Sequence, residues 1–123
     1  MKLVDSCGWL EFFADGPRAD KYAIYLKKMD EVLVPAIVLY EVYKKVKKET
    51  GEEELALLAV SQMQRGKLVA FDEELALFAA DLSMKHALPM ADAMVYAIAR
   101  QNNATLVTGD LHFSGLDNVE YLR

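Results

Sequence analysis

Apolar residues along the chain fall into short runs of strand length, which alternate with longer stretches that repeat at helical spacing. The short runs predict strands at about residues 2–4, 31–34, 67–70, 104–107 and 119–122. The longer stretches, bounded by glycine, proline and capping residues, predict helices at about residues 6–14, 19–29, 35–50, 52–65, 72–86 and 89–103. Strands that alternate with helices, in places two helices at a time, indicate an α/β domain. We expect a central, mostly parallel sheet flanked by helices.

Length and composition indicate that residues 1–123 form a single domain with its own hydrophobic core. Of the 123 residues, 54% are hydrophobic, and Cys7 is the only cysteine, so no internal disulfide is available. The chain begins with MKLVD, which lacks the pattern of a secretory leader. No window approaches the roughly 18 uncharged apolar residues that a spanning helix needs. We therefore expect a cytoplasmic protein without a membrane segment.

The balance of charge is acidic, which bears on the ligands that the protein can hold. The formal net charge is −5, from 19 acidic and 14 basic residues. A protein that holds nucleic acid through its phosphates alone is normally basic. The acids are therefore either spread over the surface or gathered at a site for hard cations, which can bridge to phosphate. Their positions, rather than their number, separate these two cases.

Four acids are predicted to lie at the carboxyl edge of the sheet. Asp5 directly follows the first strand, and Asp110 lies just beyond the fourth. Glu41 lies in the second turn of the third predicted helix, and Asp92 lies in the first turn of the sixth. Ligands of parallel α/β sheets gather in the crevice at this edge. We therefore expect the four carboxylates to share one site.

Carboxylates that converge on one crevice repel one another and raise each other's pKa values. No lysine or arginine near them in sequence is obviously placed to neutralise them, so a divalent cation is indicated. Oxygen ligands alone favour Mg²⁺ or Mn²⁺ over zinc, and such ions promote attack of water on a phosphodiester. Taken singly, Asp5 is also explained as a helix cap and Glu41 as a solvated helix acid. Asp92 is also explained as a first-turn acid favoured by the helix dipole, and Asp110 as a turn residue.

Four segments resemble the motifs of PIN-domain nucleases, in the same order along the chain. VDS at residues 4–6, followed by an aromatic helix, resembles the first motif, and VPAIVLYEV at residues 34–42 resembles the second. LPMADA at residues 88–93 is similar to the third motif, LPxADA, and is the most specific of the four. TGDLHF at residues 108–113 resembles the fourth, T-x-D-x-x-F. Length and motif spacing resemble the VapC toxins of prokaryotic toxin–antitoxin pairs.

This resemblance implies a PIN-like three-layer fold and an endoribonuclease that depends on Mg²⁺ or Mn²⁺. Such proteins are usually dimeric and are silenced by a cognate VapB-like antitoxin. By motif, the catalytic and metal-binding acids are Asp5, Glu41, Asp92 and Asp110. Ser6 and Thr108 match hydroxyl positions that support them. Because the last motif varies within the family, His112 or Asp117 is an alternative that could share the fourth position.

Three lysines are candidates for contact with the RNA backbone. Lys44, Lys45 and Lys48 follow Glu41 by three, four and seven residues and so share its helix face, whereas Lys47 lies off that face. They could carry the phosphates of RNA toward the metal site. The alternative is a solvated basic stripe that pairs with glutamates of the same region.

Other functions fit the sequence less well. A receiver domain of a signalling pair has a similar length and binds Mg²⁺, but it needs paired acids after its first strand, where only Asp5 stands. A phosphatase of the haloacid-dehalogenase type needs Asp-x-Asp there, and this chain has Asp5-Ser6-Cys7. A PIN fold that binds RNA or regulates without turnover stays open, because a sequence does not show the distances on which catalysis depends.

Overall fold

Five short strands pair side by side in the computed structural model, which describes residues 1–122. They are β1 (Lys2–Val4), β2 (Val32–Pro35), β3 (Lys67–Val69), β4 (Thr105–Thr108) and β5 (Val119–Tyr121). Their order across the sheet is β3-β2-β1-β4-β5, and every neighbouring pair is parallel. The sheet is thus parallel throughout, in agreement with the predicted α/β class. All four residues of β2 are buried, as are the last three of β4, which requires cover on both faces of the sheet.

Six α-helices provide this cover within the described residues. They are α1 (Ser6–Phe13), α2 (Ala19–Tyr25), α3 (Ala36–Thr50), α4 (Glu53–Met63), α5 (Glu73–His86) and α6 (Met90–Gln101). Two short 3₁₀ turns, Met29–Glu31 and Leu111–Phe113, precede β2 and follow β4. Helix α3 packs on α4 and α1, and α5 packs on α6. The result is a three-layer arrangement with the sheet in the middle.

Local chemistry explains most helix ends. The Asp72 carboxylate accepts a hydrogen bond from the Leu75 N–H at 2.9 Å and so caps α5. Gly51 ends α3 in the left-handed conformation at φ 70°. Pro35 and Pro89 precede the first turns of α3 and α6 in extended conformation, one residue outside the positions that helix spacing predicts.

The predicted helix over residues 19–29 is the main difference between prediction and structure. The structure ends α2 at Tyr25, and the Leu26 N–H bonds to the Ala23 carbonyl oxygen in a tighter turn. Residues 29–31 then form a separate 3₁₀ turn. Apolar residues continue at helical spacing through this segment because Leu26 and Met29 still pack against the core. Spacing alone therefore does not mark the helix end.

The core joins the sheet to the helices through large apolar side chains. Trp9, Tyr96 and Phe113 are its largest fully buried members, and they pack around the central strands. Within residues 1–122, no helix combines the length and the apolar character that crossing a membrane requires.

Candidate active site

Asp5 lies at the carboxyl end of β1, where its side chain joins two elements. It is the N-cap of α1, and its Oδ1 accepts a hydrogen bond from the Ser6 N–H at 2.7 Å. Its Oδ2 accepts a hydrogen bond from Thr108 Oγ1, at the end of β4, at 2.9 Å. The residue is only 5% exposed. Asp5 is thus both a helix cap and a member of the acidic site.

Burial raises the pKa of the Asp5 carboxyl to about 6, because a buried charge loses its hydration. The hydrogen bonds from Ser6 and Thr108 lower this pKa, and the charges of Asp92 and Asp110 raise it. A positive charge bound nearby would lower this pKa and favour the ionised carboxylate.

Thr108 connects Asp5 to the fourth motif. It is fully buried, and its Oγ1 also accepts a hydrogen bond from the Asp110 N–H at 3.0 Å. Asp110 in turn caps the 3₁₀ turn that follows, since its Oδ1 accepts a hydrogen bond from the His112 N–H at 2.9 Å. One hydroxyl thereby sets the positions of two acids on neighbouring strands.

Asp92 and Asp110 meet at the ring of His112. His112 Nδ1 lies 2.8 Å from Asp92 Oδ2 and 3.1 Å from Asp110 Oδ1. Burial and the charge of Asp110 raise the pKa of the Asp92 carboxyl, and His112 lowers it. Asp117, the other alternative for the fourth position, is exposed, and its backbone oxygen accepts a hydrogen bond from Tyr96 Oη at 2.8 Å. The structure thus brings His112 to the acids.

Glu41 completes the cluster from α3. Its pKa is raised mainly by burial and then by the charge of Asp5, with smaller effects of Asp92 and Asp110 in the same direction. The neighbouring Ser6 hydroxyl lowers this pKa. Glu41 therefore shares one electrostatic environment with the other three acids, although they lie on four separate segments of the chain.

The donor set suits a divalent cation. Asp92, Asp110 and His112 each present a ligand atom, and these atoms lie within 4.8 Å of one another. No lysine or arginine within residues 1–122 forms an ion pair with the four acids, so no permanent cation neutralises their charges. The sequence predicts oxygen ligands, with His112 as an alternative at the fourth position, and in the structure a nitrogen of the His112 ring lies beside the oxygens of Asp92 and Asp110. Mn²⁺ accepts such a mixed set as well as an oxygen cage.

The predicted RNA-contact lysines line a cleft that begins at the acids. Its volume is about 530 Å³, and its lining includes Ser6, Glu41, Lys44, Lys45 and Lys48. Lys47 lies off this face and pairs instead with Glu53 at 3.2 Å. Lys45 Nζ lies 3.1 Å from Glu49 Oε1, which is the pairing that the alternative of a solvated stripe expects. Of the three lysines in the cleft, Lys45 forms an ion pair with a glutamate, whereas Lys44 and Lys48 form none within residues 1–122.

Cys7 is closer to the acids than its small, apolar character suggests. It is partly exposed, and its Sγ lies 3.6 Å from Thr108 Oγ1 and 3.9 Å from Asp5 Oδ2. Burial and then the charge of Asp5 raise the pKa of the Cys7 thiol. The sequence does contain a signal for this proximity, because Cys7 follows Asp5 by two residues and lies in the first turn of α1.

A second, larger groove lies between α1, α3 and α4. Its volume is about 880 Å³, and apolar side chains from all three helices line it: Leu10, Phe13, Val46, Leu55, Leu58 and Ala59. Charged residues of both signs, including Lys45 and Arg65, stand at its margin. Leu55 and Leu58 remain substantially exposed there.

Solved structures with this fold include toxin–antitoxin proteins. A toxin–antitoxin complex from Klebsiella pneumoniae is 21% identical, with a TM-score of 0.80 over 98% of this chain and 96% of that one. VapBC2 from Rickettsia felis, bound to a promoter DNA fragment, is 18% identical, with a TM-score of 0.78 over 98% and 97%. VapC20 from Mycobacterium tuberculosis, described as a toxin that cleaves the sarcin–ricin loop, is 18% identical, with a TM-score of 0.78 over 95% of each chain. At these identities the likeness establishes the fold.

Sequence comparison places the chain in a family. No curated protein sequence matches it. The family model of the PIN domain, however, matches residues 2–119, nearly the whole chain and all four predicted motifs. The chain therefore belongs to the PIN-domain family.

Proposed function

We propose that this protein is an endoribonuclease that depends on Mg²⁺ or Mn²⁺ and serves as the toxin of a VapBC-type pair. The observation that carries the proposal is the meeting of Asp92 and Asp110 at His112, with Asp5 linked to Asp110 through Thr108. Glu41 is close enough for the charges of these three acids to raise its pKa. The mutual repulsion of the four acids is relieved when a divalent cation binds, and such a cation can activate water for attack on a phosphodiester.

The residues divide into ligands and supports. Asp5, Glu41, Asp92 and Asp110 would hold the metal, and His112 stands within reach of the same site. Thr108 and Ser6 donate to Asp5 through the hydroxyl and the backbone N–H respectively, and so aim its two oxygens. When bound, the metal would supply Lewis-acid stabilisation of charge on the phosphate and activate a water molecule.

The residues beside the acids would position the RNA. The cleft beside Glu41 gives a single RNA strand a path to the acids, and its lysines offer charge to the backbone phosphates. A positively charged path is needed because the protein as a whole is acidic and would otherwise repel RNA. Substrate approach therefore depends on this face of α3.

The test is cleavage of a mixed cellular RNA pool by the purified protein with Mg²⁺, with Mn²⁺, and with EDTA. The proposal expects defined cuts with either metal, none with EDTA, and recovery when metal is added back. Mapping the new ends would identify the substrate RNA. Failure of the folded, antitoxin-free protein to cleave any RNA in either metal would favour a binding role for the PIN fold instead.

We also propose an antitoxin as partner, and the groove between α1, α3 and α4 as the place where it binds. A large exposed apolar surface often marks a site where another chain binds. Two of the similar structures are assemblies of this kind, the toxin–antitoxin complex from Klebsiella pneumoniae and VapBC2 from Rickettsia felis. An amphipathic segment that lays apolar side chains between Leu55 and Leu58 would fit its shape and chemistry.

Leu58→Glu tests this assignment, because Leu58 is exposed and its replacement leaves the core intact. We expect the variant to cleave RNA as the parent does but to need far more of the protein encoded beside it for inhibition. Leu77→Glu, on an exposed face of α5, is the matched control. Equal inhibition of both variants would place the antitoxin elsewhere.

A homodimer is the assembly that we propose on the family resemblance. Light scattering on the purified protein measures its mass directly, and a mass near the 13.8 kDa of one chain would contradict it.

A further inference from the structure

The face of α3 that carries Glu41 also presents an aromatic ring to solvent. Val38 and Val42 are fully buried, and Tyr40 between them is 57% exposed. The ring therefore contributes little to the core. Tyr40 nevertheless lines the same cleft as Ser6 and Glu41. Tyr40 contributes an aromatic ring to that cleft, and it directly precedes Glu41 in the sequence.

Lys44 stands one helical turn further on and is associated with this ring. Its Nζ lies 5.4 Å from the ring centroid and 3.2 Å from Tyr40 Oη. Within residues 1–122 Lys44 forms no ion pair with an acid, unlike Lys45 and Lys47. The cation is thus held beside the ring by weak, solvent-exposed contacts and is available to an anion.

The next turn of the same helix carries the same residue pair in a different setting. Lys47 Nζ lies 5.5 Å from the ring centroid of Tyr43, and both side chains contact Glu53 at the start of α4. This second pair joins α3 to α4 and lies outside the cleft. It has a structural partner, whereas the pair of Tyr40 and Lys44 faces the open cleft.

We propose that Tyr40 is a stacking platform for one unpaired base of the substrate, and that Lys44 binds the adjacent phosphate. This inference rests on the proposed ribonuclease function and assigns two residues outside the acidic cluster that would position its RNA. Proteins recognise unpaired RNA by stacking bases on aromatic side chains and pairing phosphates with lysine or arginine, and both groups are present side by side here. Stacking on Tyr40 would fix one nucleotide next to Glu41 and so set which phosphodiester lies over the acids. A continuous duplex offers no free base face and would not use this platform.

The test measures binding of a fluorescein-labelled single-stranded RNA of mixed sequence by anisotropy, with Asp92→Asn as the background so that the RNA stays intact. We expect Tyr40→Ala to weaken binding by about ten- to a hundred-fold, the range of one lost base stack. Tyr40→Phe keeps the ring and should bind nearly as the parent does. Tyr43→Ala is the matched control and should also leave binding nearly unchanged.

An abasic scan then separates stacking from general packing. RNAs that lack one base at successive positions should show a single position of large loss with the parent protein, and that loss should vanish with Tyr40→Ala. If Tyr40→Ala binds as Tyr43→Ala does, or if the scan shows no coupling to Tyr40, the inference is wrong. Metal-dependent cleavage that persists in that case leaves the proposed function standing, whereas absence of both cleavage and binding overturns the function itself.

Discussion

Thr108 is the residue on which the geometry of the acids depends most. Its hydroxyl donates to Asp5 Oδ2 and accepts from the Asp110 N–H, so it fills both roles that a hydroxyl offers. Because Thr108 is fully buried, water cannot replace either bond without a change in the packing. One buried hydroxyl thereby holds both acids.

Thr108→Val should therefore weaken metal binding and stability together. The isosteric valine leaves the Asp110 N–H and Asp5 Oδ2 without this partner, which costs about 1–3 kcal/mol of unfolding free energy. Loss of a supporting partner typically lowers metal affinity by about ten-fold or more. Calorimetric titration with Mn²⁺ and urea unfolding measure the two effects. Thr105→Val, at the start of β4, should change neither, and an unchanged Mn²⁺ affinity in Thr108→Val would contradict the account.

Asp5 makes the stability of the metal-free protein depend on pH in a defined direction. Its pKa is about 6 in the folded chain against 3.8 for the free side chain. Between these values the folded state binds more protons than the unfolded state, so its stability falls as pH rises from about 4 through 6. The penalty at neutral pH is about 3 kcal/mol at most.

Asp5→Asn removes this titration, so its stability relative to the parent should increase over the same pH window. Urea unfolding in EDTA at a series of pH values gives the comparison. Added Mg²⁺ should reduce the difference, because a cation favours the ionised carboxylate. A constant difference between the two proteins across the window would show that Asp5 is not held in a desolvated site.

At the scale of the elements, α1 must lie close to β1 and α2 for Asp5 to cap it. Gly8 makes this approach possible, because a Cβ at this position would stand 2.5 Å from Tyr22 Cε1 and 2.6 Å from Val4 Cγ1. Both atoms belong to buried side chains. The first turn of α1 is therefore fixed against the sheet by the absence of a side chain.

Gly8→Ala should lower both stability and cleavage, since α1 must shift and carry the Asp5 cap and Ser6 with it. The expected loss in unfolding free energy is about 1–3 kcal/mol. Gly51→Ala is a useful comparison, because its φ of 70° makes alanine unfavourable by about 1 kcal/mol while its surroundings are open. That variant should lose stability without loss of cleavage rate. Equal RNA cleavage rates for the two variants would show that the position of α1 does not affect catalysis.

The basic face of α3 predicts a salt effect. Removal of Lys44, Lys45 and Lys48 together should weaken RNA binding and reduce the slope of log affinity against log salt by about 2, at roughly 0.7 for each phosphate contact of a single strand. Lys47→Ala, on the other face, should leave the slope as it is. The measurement is RNA affinity over a series of salt concentrations. An unchanged slope in the triple variant would mean that these lysines form a solvated stripe and do not contact RNA.

Most elements were predictable because the chain carries local signals at their ends. Asp72, Gly51 and the two prolines mark boundaries through caps and backbone preferences that act within a few residues. The end of α2 was not predictable in this way, since Met29 continues the apolar spacing after the helix has stopped. What ends α2 there is the connection to β2, which depends on the tertiary packing.

At the scale of the whole molecule, strand order creates the site. Strands β1 and β4 are neighbours, with Val4 opposite Val107, so Asp5 and Asp110 leave the sheet side by side although about a hundred residues separate them. Periodicity places both acids at carboxyl ends, but it does not reveal which strands pair. The resemblance to PIN domains implies that these acids share one site, and the family match covers both of them.

Two side chains of the site take their contacts from the fold rather than from the local sequence. His112 reaches Asp92 only because the 3₁₀ turn after Asp110 brings its ring back toward α6. Tyr40 was within reach of sequence reasoning, since its phase against Val38 and Val42 predicts an outward ring. Its association with Lys44 follows from their spacing of four residues, but its place in the cleft depends on how α1 packs on α3.

The most direct test of the account compares RNA cleavage by Asp92→Asn and Asp81→Asn in Mn²⁺, after circular dichroism has shown both variants to be folded. Asp92 lies in the acidic cluster, and Asp81 is an exposed acid on α5 away from it. The account predicts that Asp81→Asn cleaves as the parent does, while Asp92→Asn loses cleavage. Full cleavage by Asp92→Asn would contradict the assignment of the carboxylate cluster as the catalytic metal site.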